Sequence, residues 1–388
     1  MLISSSELLN RISDGIIPTK EEAFQIYQEL EIEPASLYDL ANSLRKKNKG
    51  SKIVTYSRKY FFNLVNLCRD TCSYCTYKSE PSQEKLSMLS KQDIKDSIEI
   101  AKKFKCTEAL FVTGERPEQK YNEAKEWLKK NGFSSTAEYL IYASELALNS
   151  GLFPHTNAGN LSKLEMSELK KTNVSLGLML ENSSDRLSQK DMPHEFAPSK
   201  NPKARIRVLE NAGDLKIPVT TGILVGIGET PFEIIDSLYT IKQLHEKYGH
   251  VQEIILQNFH PKIDTKMSSS PSPHERYFKN IVALARVIMP EMNIQIPPNL
   301  SPNSYSSFLD AGINDWGGIS PITPDYVNPE LPWPQINEVE KRCHEARYEL
   351  RARFPVYPEY FTLVNQDLKE KMLEIADSEL LVSKEYLK

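Results

Sequence analysis

The chain has 388 residues, 40% hydrophobic and 26% charged, with a formal net charge of −4. That composition supports a large core and excludes a disordered chain or a small disulfide-dense scaffold. The slight acidity offers no basic face to nucleic acid or anionic membrane. No stretch reaches the roughly 18 apolar residues of a membrane span, so neither partner is expected and a cytoplasmic location is.

Segments 4–13, 20–30 and 36–48 read as three helices, each following a capping residue or Pro. Strand-like runs then alternate with amphipathic helices. The strands are expected at 60–66, 109–113, 153–157, 175–181, 219–226, 253–259, 293–297 and 313–316, and helices at 91–104, 136–150, 162–171, 202–215, 231–248 and 273–289. This alternation argues for α/β architecture with a parallel sheet. Eight units over this length fit a (βα)8 TIM-type barrel, with a doubly wound open sheet as the competing arrangement. The Pro-rich run 318–334 reads as a long ordered loop, and 335–353 and 366–385 as outer helices. The expected division is an N-terminal helical extension (1–50), a barrel (51–345) and a C-terminal helical tail (346–388).

Five cysteines are present, and Cys68, Cys72 and Cys75 form a C-x3-C-x2-C run directly after the first barrel strand. Clustered thiols without a secretory signal point to metal or redox chemistry. Thiolate is the preferred iron–sulfur ligand, and an electron-transfer cluster takes four cysteines. Three leave one iron open to a substrate. The competing reading is a zinc site, which asks for a fourth ligand that is not nearby. Cys106 and Cys343 are isolated and read as small buried residues.

Other candidates fall where strands end, the face on which barrel enzymes build their sites. Tyr74, between the last two thiols, either lies against a flat ligand or packs the loop. Gly114 permits close backbone approach, and Glu115 can accept from an ammonium. Glu181 suits ribose hydroxyls and Arg186 a carboxylate. Gly222 and Gly226 open space beside a planar group. Each has a plainer reading as a turn or a helix cap. Asn157, Thr220, Gln257, Asn258 and Asn299 are polar strand-end candidates for substrate, and His155 and His260 are candidate proton carriers. Asp315 either binds substrate or ties strand eight to the loop after it.

The C-x3-C-x2-C spacing with an aromatic before the third Cys resembles the signature of the radical S-adenosylmethionine (SAM) superfamily. Gly114-Glu115 resembles its second motif, and Gly222-x-Leu224-x-Gly226-x-x-Glu229 its G-x-I-x-G-x-x-E motif, with Leu for the usual Ile. Runs 56–78, 108–118, 154–166, 220–230, 253–262 and 309–334 resemble the CofG-type family of 7,8-didemethyl-8-hydroxy-5-deazariboflavin (FO) synthases. The run LDAGINDWGGISPITPDYVNPELPWP, with Asp310, Asn314, Asp315 and Trp316, is the most discriminating. It speaks against the sister CofH-type subunit, a menaquinone-pathway enzyme or biotin synthase. The run His260 to Thr265 departs from the family pattern, so the loop after strand six is expected to differ in shape.

The resemblance implies a [4Fe–4S] cluster on the three cysteines. SAM is chelated to the fourth iron and cleaved to methionine and a 5′-deoxyadenosyl radical. It also implies a lyase acting in coenzyme F420 biosynthesis. The substrate would be 5-amino-5-(4-hydroxybenzyl)-6-(D-ribitylimino)-5,6-dihydrouracil, which closes to FO with loss of ammonia. An external electron donor is implied, as is a CofH-type subunit that makes the substrate from tyrosine and a ribityl-aminouracil.

Overall fold

The first strand, β1 (Ile53–Val65), has partners on both edges, and this decides the architecture. The computed structural model describes residues 4–31 and 33–388. Seven more barrel strands follow: β2 (Glu108–Thr113), β3 (Phe153–Asn157), β4 (Ser175–Gly177), β5 (Val219–Val225), β6 (Val251–Asn258), β7 (Asn293–Gln295) and β8 (Asp315–Ile319). Neighbours pair in parallel from β2 round to β8, then β8 pairs with β1. A β1–β2 ladder running from Lys59↔Glu108 to Val65↔Thr113 closes the ring. The barrel is therefore closed, and the open-sheet alternative is excluded.

Helices α1 (Ser5–Ser13), α2 (Lys20–Leu30) and α3 (Ala35–Lys49) precede the barrel. They pack on its outer helices, α2 on α9 (Pro231–Tyr248) and α3 on α10 (Glu275–Ile288). The outer layer also holds α4 (Lys91–Lys103), α5 (Asn122–Lys130), α6 (Thr136–Asn149), α7 (Lys163–Leu169) and α8 (Pro202–Asp214). Capping boxes at Thr19, Ser90, Ser162 and Thr230 set four of the helix starts. No helix among the described residues is long and apolar enough to cross a membrane.

Three expectations need correction. The helix expected at 335–353 ends early: α11 covers Ile336–Glu345, Arg347 takes a left-handed φ of 65°, and Glu349–Arg353 form a ninth strand, β9. Its residues Glu-Leu-Arg-Ala-Arg are good helix formers, and pairing with β1 overrides that propensity. The same pairing explains why β1 starts at Ile53 and not at residue 60. Its first half, Ile53–Ser57, pairs with β9, and its second half with β2. Finally, the helix expected at 366–385 is two pieces, α12 (Gln366–Leu373) and α13 (Lys384–Leu387), separated by a bridge between Ala376 and Val382. Helix α5 is an element that the chain-order reading lacks.

One seam is thin. β7 and β8 share a single register pair, Gln295↔Asp315. Side chains do the work that the ladder does elsewhere. The Asn314 carboxamide oxygen accepts from the Ile294 N–H (2.9 Å) and from the buried Arg286 guanidinium (2.9 Å), and its nitrogen donates to Asn293 (3.0 Å). Trp316 is fully buried and donates its indole N–H to Cys343 Sγ at 3.2 Å. The most family-like run thus begins as structural joinery.

Below the barrel, the chain after β9 acts as a stopper. Ser175 and Gln252 donate to the Pro355 carbonyl. Arg353 reaches inward and pairs with Asp315 (2.7 and 3.0 Å) and Glu253 (2.7 Å), all three buried.

Candidate active site

A cavity of about 330 Å3 runs from this floor to the C-terminal mouth of the barrel. Its walls follow from strand parity, because residues two apart face the same side. Lys59 and Phe61 of β1, Glu108, Leu110 and Val112 of β2, and Glu253, Ile255 and Gln257 of β6 all face inward.

The mouth carries the three thiols. Cys68, Cys72 and Cys75 are each partly buried, unpaired and cavity-lining. Their loop is fixed from several directions. Thr71 N–H donates to Phe196 O (2.8 Å), Ser73 N–H to Pro193 O (2.9 Å) and Met267 N–H to Ser73 O (3.1 Å). The Glu115 backbone N–H donates to Cys68 Sγ at 3.2 Å, the type of contact that tunes a cluster-bound thiolate. Burial pushes the Cys68 thiol up to about 11 and the Cys72 thiol up as well. Thiols raised in this way become thiolates only beside a cation, such as a bound metal. Among the described residues, no three His, Cys, Asp or Glu side chains converge closely enough to hold a single ion.

Gly114 sits where the second strand meets this loop. A Cβ there would lie 1.9 Å from the Leu67 carbonyl oxygen and 2.8 Å from Cys68 Cα. We expect Gly114→Ala to push the Cys68 backbone aside. Cluster content should fall, and turnover should drop by about 100-fold, as for a misplacement near 1 Å. Iron analysis after anaerobic reconstitution checks this, and wild-type iron content in the variant would refute it.

Glu115 lines the cavity and accepts the Asn160 N–H at 2.9 Å, with Arg69 at 4.0 Å. Glu181 also lines it, in a left-handed conformation (φ 65°) and paired with Lys200 at 2.5 Å. Tyr74 is buried in a small apolar cluster with Leu187, Leu224, Ile227 and Phe259, and its hydroxyl bonds to His194 Nε2 at 3.0 Å. It both packs the loop and faces the cavity.

His155, Asn157, Thr220, Gln257, Asn258 and His260 all line the cavity. Ser175 Oγ gives its proton to the Pro355 carbonyl, so it accepts from His155 Nδ1–H at 2.6 Å. His155 Nε2 is then an unprotonated acceptor. Burial pushes the His155 pKa down to about 4, which keeps the ring neutral at ordinary pH. His260 and Asn258 both donate to the Leu300 carbonyl, at 2.8 and 2.9 Å.

Five expected site residues lie elsewhere. The Arg186 guanidinium is held by Glu233 (2.6 and 2.8 Å) and the Gly228 carbonyl, away from the cavity. A Gly222 Cβ would meet the Ile255 carbonyl oxygen at 2.1 Å, so this glycine serves strand packing. Gly226 has φ 100° and packs on Pro273, and its N–H donates to Glu229 (2.6 Å). Asn299 donates to Asp325 and to the Leu331 carbonyl, tying down the loop 318–334. Asp315 belongs to the floor network with Arg353 and Thr55.

Sequence reasoning missed Lys59, Glu108, Lys200, Arg205, Lys262 and Trp333, all cavity-lining. Lys59 and Glu108 stand just before the expected starts of their strands. Extending the strand parity by one inward residue would have found both. Lys262, in the departing run, donates to the Val327 carbonyl at 2.6 Å and so draws the loop 318–334 over the mouth.

The match to known proteins agrees with this geometry. Residues 62–241 match the model of the radical SAM superfamily. The 7,8-didemethyl-8-hydroxy-5-deazariboflavin synthase of Methanopyrus kandleri is 46% identical over 309 residues, 79% of this chain and 92% of that one. The FO synthase of Mycobacterium tuberculosis is 42% identical over 329 residues, 83% of this chain but 38% of that longer protein. Among solved structures, the FeFe-hydrogenase maturase HydG from Carboxydothermus hydrogenoformans superposes with a TM-score of 0.71 at 19% identity, covering 95% of this chain and 87% of that one, a likeness of fold. With three rim thiols over a closed parallel barrel and relatives of this identity along most of its length, the chain belongs to the 7,8-didemethyl-8-hydroxy-5-deazariboflavin synthase family of the radical SAM superfamily.

Proposed function

We propose that this chain converts 5-amino-5-(4-hydroxybenzyl)-6-(D-ribitylimino)-5,6-dihydrouracil into FO with loss of ammonia, a step of coenzyme F420 biosynthesis. The observation that carries this reading is the three-thiol rim above a cavity whose wall carries Asn157, Thr220 and Gln257. Cys68, Cys72 and Cys75 would hold a [4Fe–4S] cluster and leave room for SAM beside it. When bound, that pair supplies a hydrogen-abstracting 5′-deoxyadenosyl radical and methionine.

The chain's own residues bind, orient and exclude water. Gly114 and Glu115 would meet the SAM methionine end with backbone and carboxylate, while Glu181 and Lys200 would meet its ribose. Tyr74 walls the cluster side. Asn157, Gln257 and Thr220 line the depth of the cavity and suit a uracil ring and a ribityl chain. Asp325 accepts from Val327 N–H (2.9 Å), Asn328 and Asn299, which holds the loop 318–334 in place as a water-excluding cover.

The substrate would come from a CofH-type sister enzyme acting on tyrosine and a ribityl-aminouracil. The greater length of the mycobacterial relative leaves room for a second unit in one polypeptide. An external donor would supply the electron, and a reducing cytoplasm suits the thiol-rich site.

The test is anaerobic turnover with SAM, a reductant, the sister enzyme and both precursors. We expect 5′-deoxyadenosine together with blue-fluorescent FO. 5′-Deoxyadenosine without any FO would overturn the assignment. A colourless protein carrying zinc after reconstitution would overturn the cluster.

A further inference from the structure

Two opposite charges lie deep in the cavity with no hydrogen-bond or ion-pair partner among the described residues. Lys59 of β1 and Glu108 of β2 are register partners in the ladder that closes the barrel, and both line the cavity. They are 7% and 5% exposed. Among the described residues, neither side chain has a hydrogen bond or an ion pair within 4.0 Å. The Lys59 ammonium instead lies over the Trp333 ring, 4.3 Å from its centre, and 5.5 Å from that of Phe61. The indole N–H of Trp333 is itself buried without an acceptor.

The other charges around Lys59 are already engaged. Glu253 of β6 accepts from Arg353, Tyr357 and Thr220. Asp325, in the loop after β8, accepts from Asn299, Val327 and Asn328. Arg353 of β9 is held by Asp315 and Glu253. Glu108 alone among these is free. Burial lowers the Lys59 pKa, while Glu108, Asp325 and Glu253 oppose that and Arg353 adds to it. A buried Lys and a buried Glu that were joined as an ion pair would each be fixed in its charged state. Left unjoined on adjacent strands, they stay available as one acid and one base.

We propose that Lys59 and Glu108 are the acid–base pair that expels ammonia from the bound substrate, an inference that rests on the reaction assigned above. The substrate carries its amine on the carbon that also bears the 4-hydroxybenzyl arm. Glu108 takes a proton from the benzylic carbon next to it. The electron pair of that C–H bond becomes a carbon–carbon double bond. The C–N bond breaks with its pair on nitrogen, and the Lys59 ammonium supplies the proton that makes the leaving group NH3. The protein gains one proton and loses one, and a proton passed from Glu108 to Lys59 resets the pair. No oxidant is needed in this step. It takes place on the inner faces of β1 and β2.

The test measures FO, ammonia and 5′-deoxyadenosine for the full chain and for Lys59→Met, Lys59→Arg and Glu108→Gln, over a range of substrate concentrations. We expect kcat for FO to fall by about 100-fold or more in Lys59→Met and Glu108→Gln, the usual weight of general acid–base catalysis. Iron content and substrate-free SAM cleavage should match wild type. Material that still holds the amine nitrogen should accumulate. Lys59→Arg should stay impaired, because a guanidinium keeps the charge but does not release its proton. The wild-type kcat should decline as rising pH strips the Lys59 ammonium, below the ordinary lysine range, and that decline should be missing in Lys59→Met. Recovery of kcat in Lys59→Arg, or a raised KM with unchanged kcat, would overturn the pair in favour of a substrate anchor. Glu108→Gln, which preserves shape, keeps the test standing if Lys59→Met fails to fold. Wild-type protein that makes no FO defeats the assigned reaction itself. Wild-type protein that makes FO, with kcat intact in both variants, defeats only the acid–base pair.

Discussion

Replacing Cys68, Cys72 or Cys75 with Ala should remove the visible absorption near 400 nm and abolish both SAM cleavage and FO formation. Each thiol occupies one position on the same rim, and no fourth cysteine stands near to substitute for it. Cys106 and Cys343 are buried elsewhere, Cys106 donating to the Lys59 carbonyl and Cys343 accepting from Trp316. Residues that act as a unit fail together, so each single change should cost at least about 1,000-fold. The fold should survive, since the loop is also held by backbone bonds to Phe196, Pro193 and Met267. Iron and sulfide analysis alongside circular dichroism separates loss of the cluster from loss of the fold. A Cys72→Ala protein with full iron content would end the argument for this site.

The second large effect concerns stability. Arg353→Met leaves Asp315 and Glu253 as buried carboxylates without their cation. Breaking a buried pair in this way costs about 3–5 kcal/mol. Tyr357 and Thr220 still donate to Glu253, at 2.6 and 3.0 Å, but neither carries charge. Burial, with the Asp315 charge beside it, already pushes the Glu253 carboxyl up to about 7, and Arg353 restrains that rise. A carboxyl whose folded pKa exceeds its unfolded one favours the fold at low pH, and this contribution is lost as pH rises through the folded value. The variant's deficit should therefore be smaller at pH 6 than at pH 8. Urea unfolding midpoints at the two pH values measure it, and a midpoint equal to wild type at pH 8 would show that the network carries no stability. The barrel floor depends on β9, so a loss of FO formation should accompany the loss of stability.

The two predictions concern opposite ends of one cavity, and the sequence speaks of them unequally. The cysteine rim is legible because three thiols fall within eight residues of one loop. The alternation of strands and helices is legible because inward and outward faces repeat with fixed periods. Gly114, Glu115 and Glu181 are found because they stand where strands end, and Tyr74 because it lies between two thiols; all four line the cavity. Arg186, Asn299 and Asp315 show the limit of that rule. A polar residue at a strand end can equally satisfy a neighbouring loop, a helix or the barrel floor, and its partner is distant in the chain. Arg353 and Asp315 are separated by 38 positions, and Arg353 and Glu253 by 100.

The sequence by itself determined the barrel rhythm, the three-thiol rim and, through the run 309–334, the family. It could not show that much of this run braces a seam with a single backbone register pair. Only the tertiary structure decided that the ring closes between β1 and β2, that a helix-like Glu-Leu-Arg-Ala-Arg becomes a strand, and that Lys59 and Glu108 face the same cavity unpaired. The physical reason is the same in each case. Strand pairing and the burial of charge depend on which distant segments meet, and local composition carries no record of that meeting.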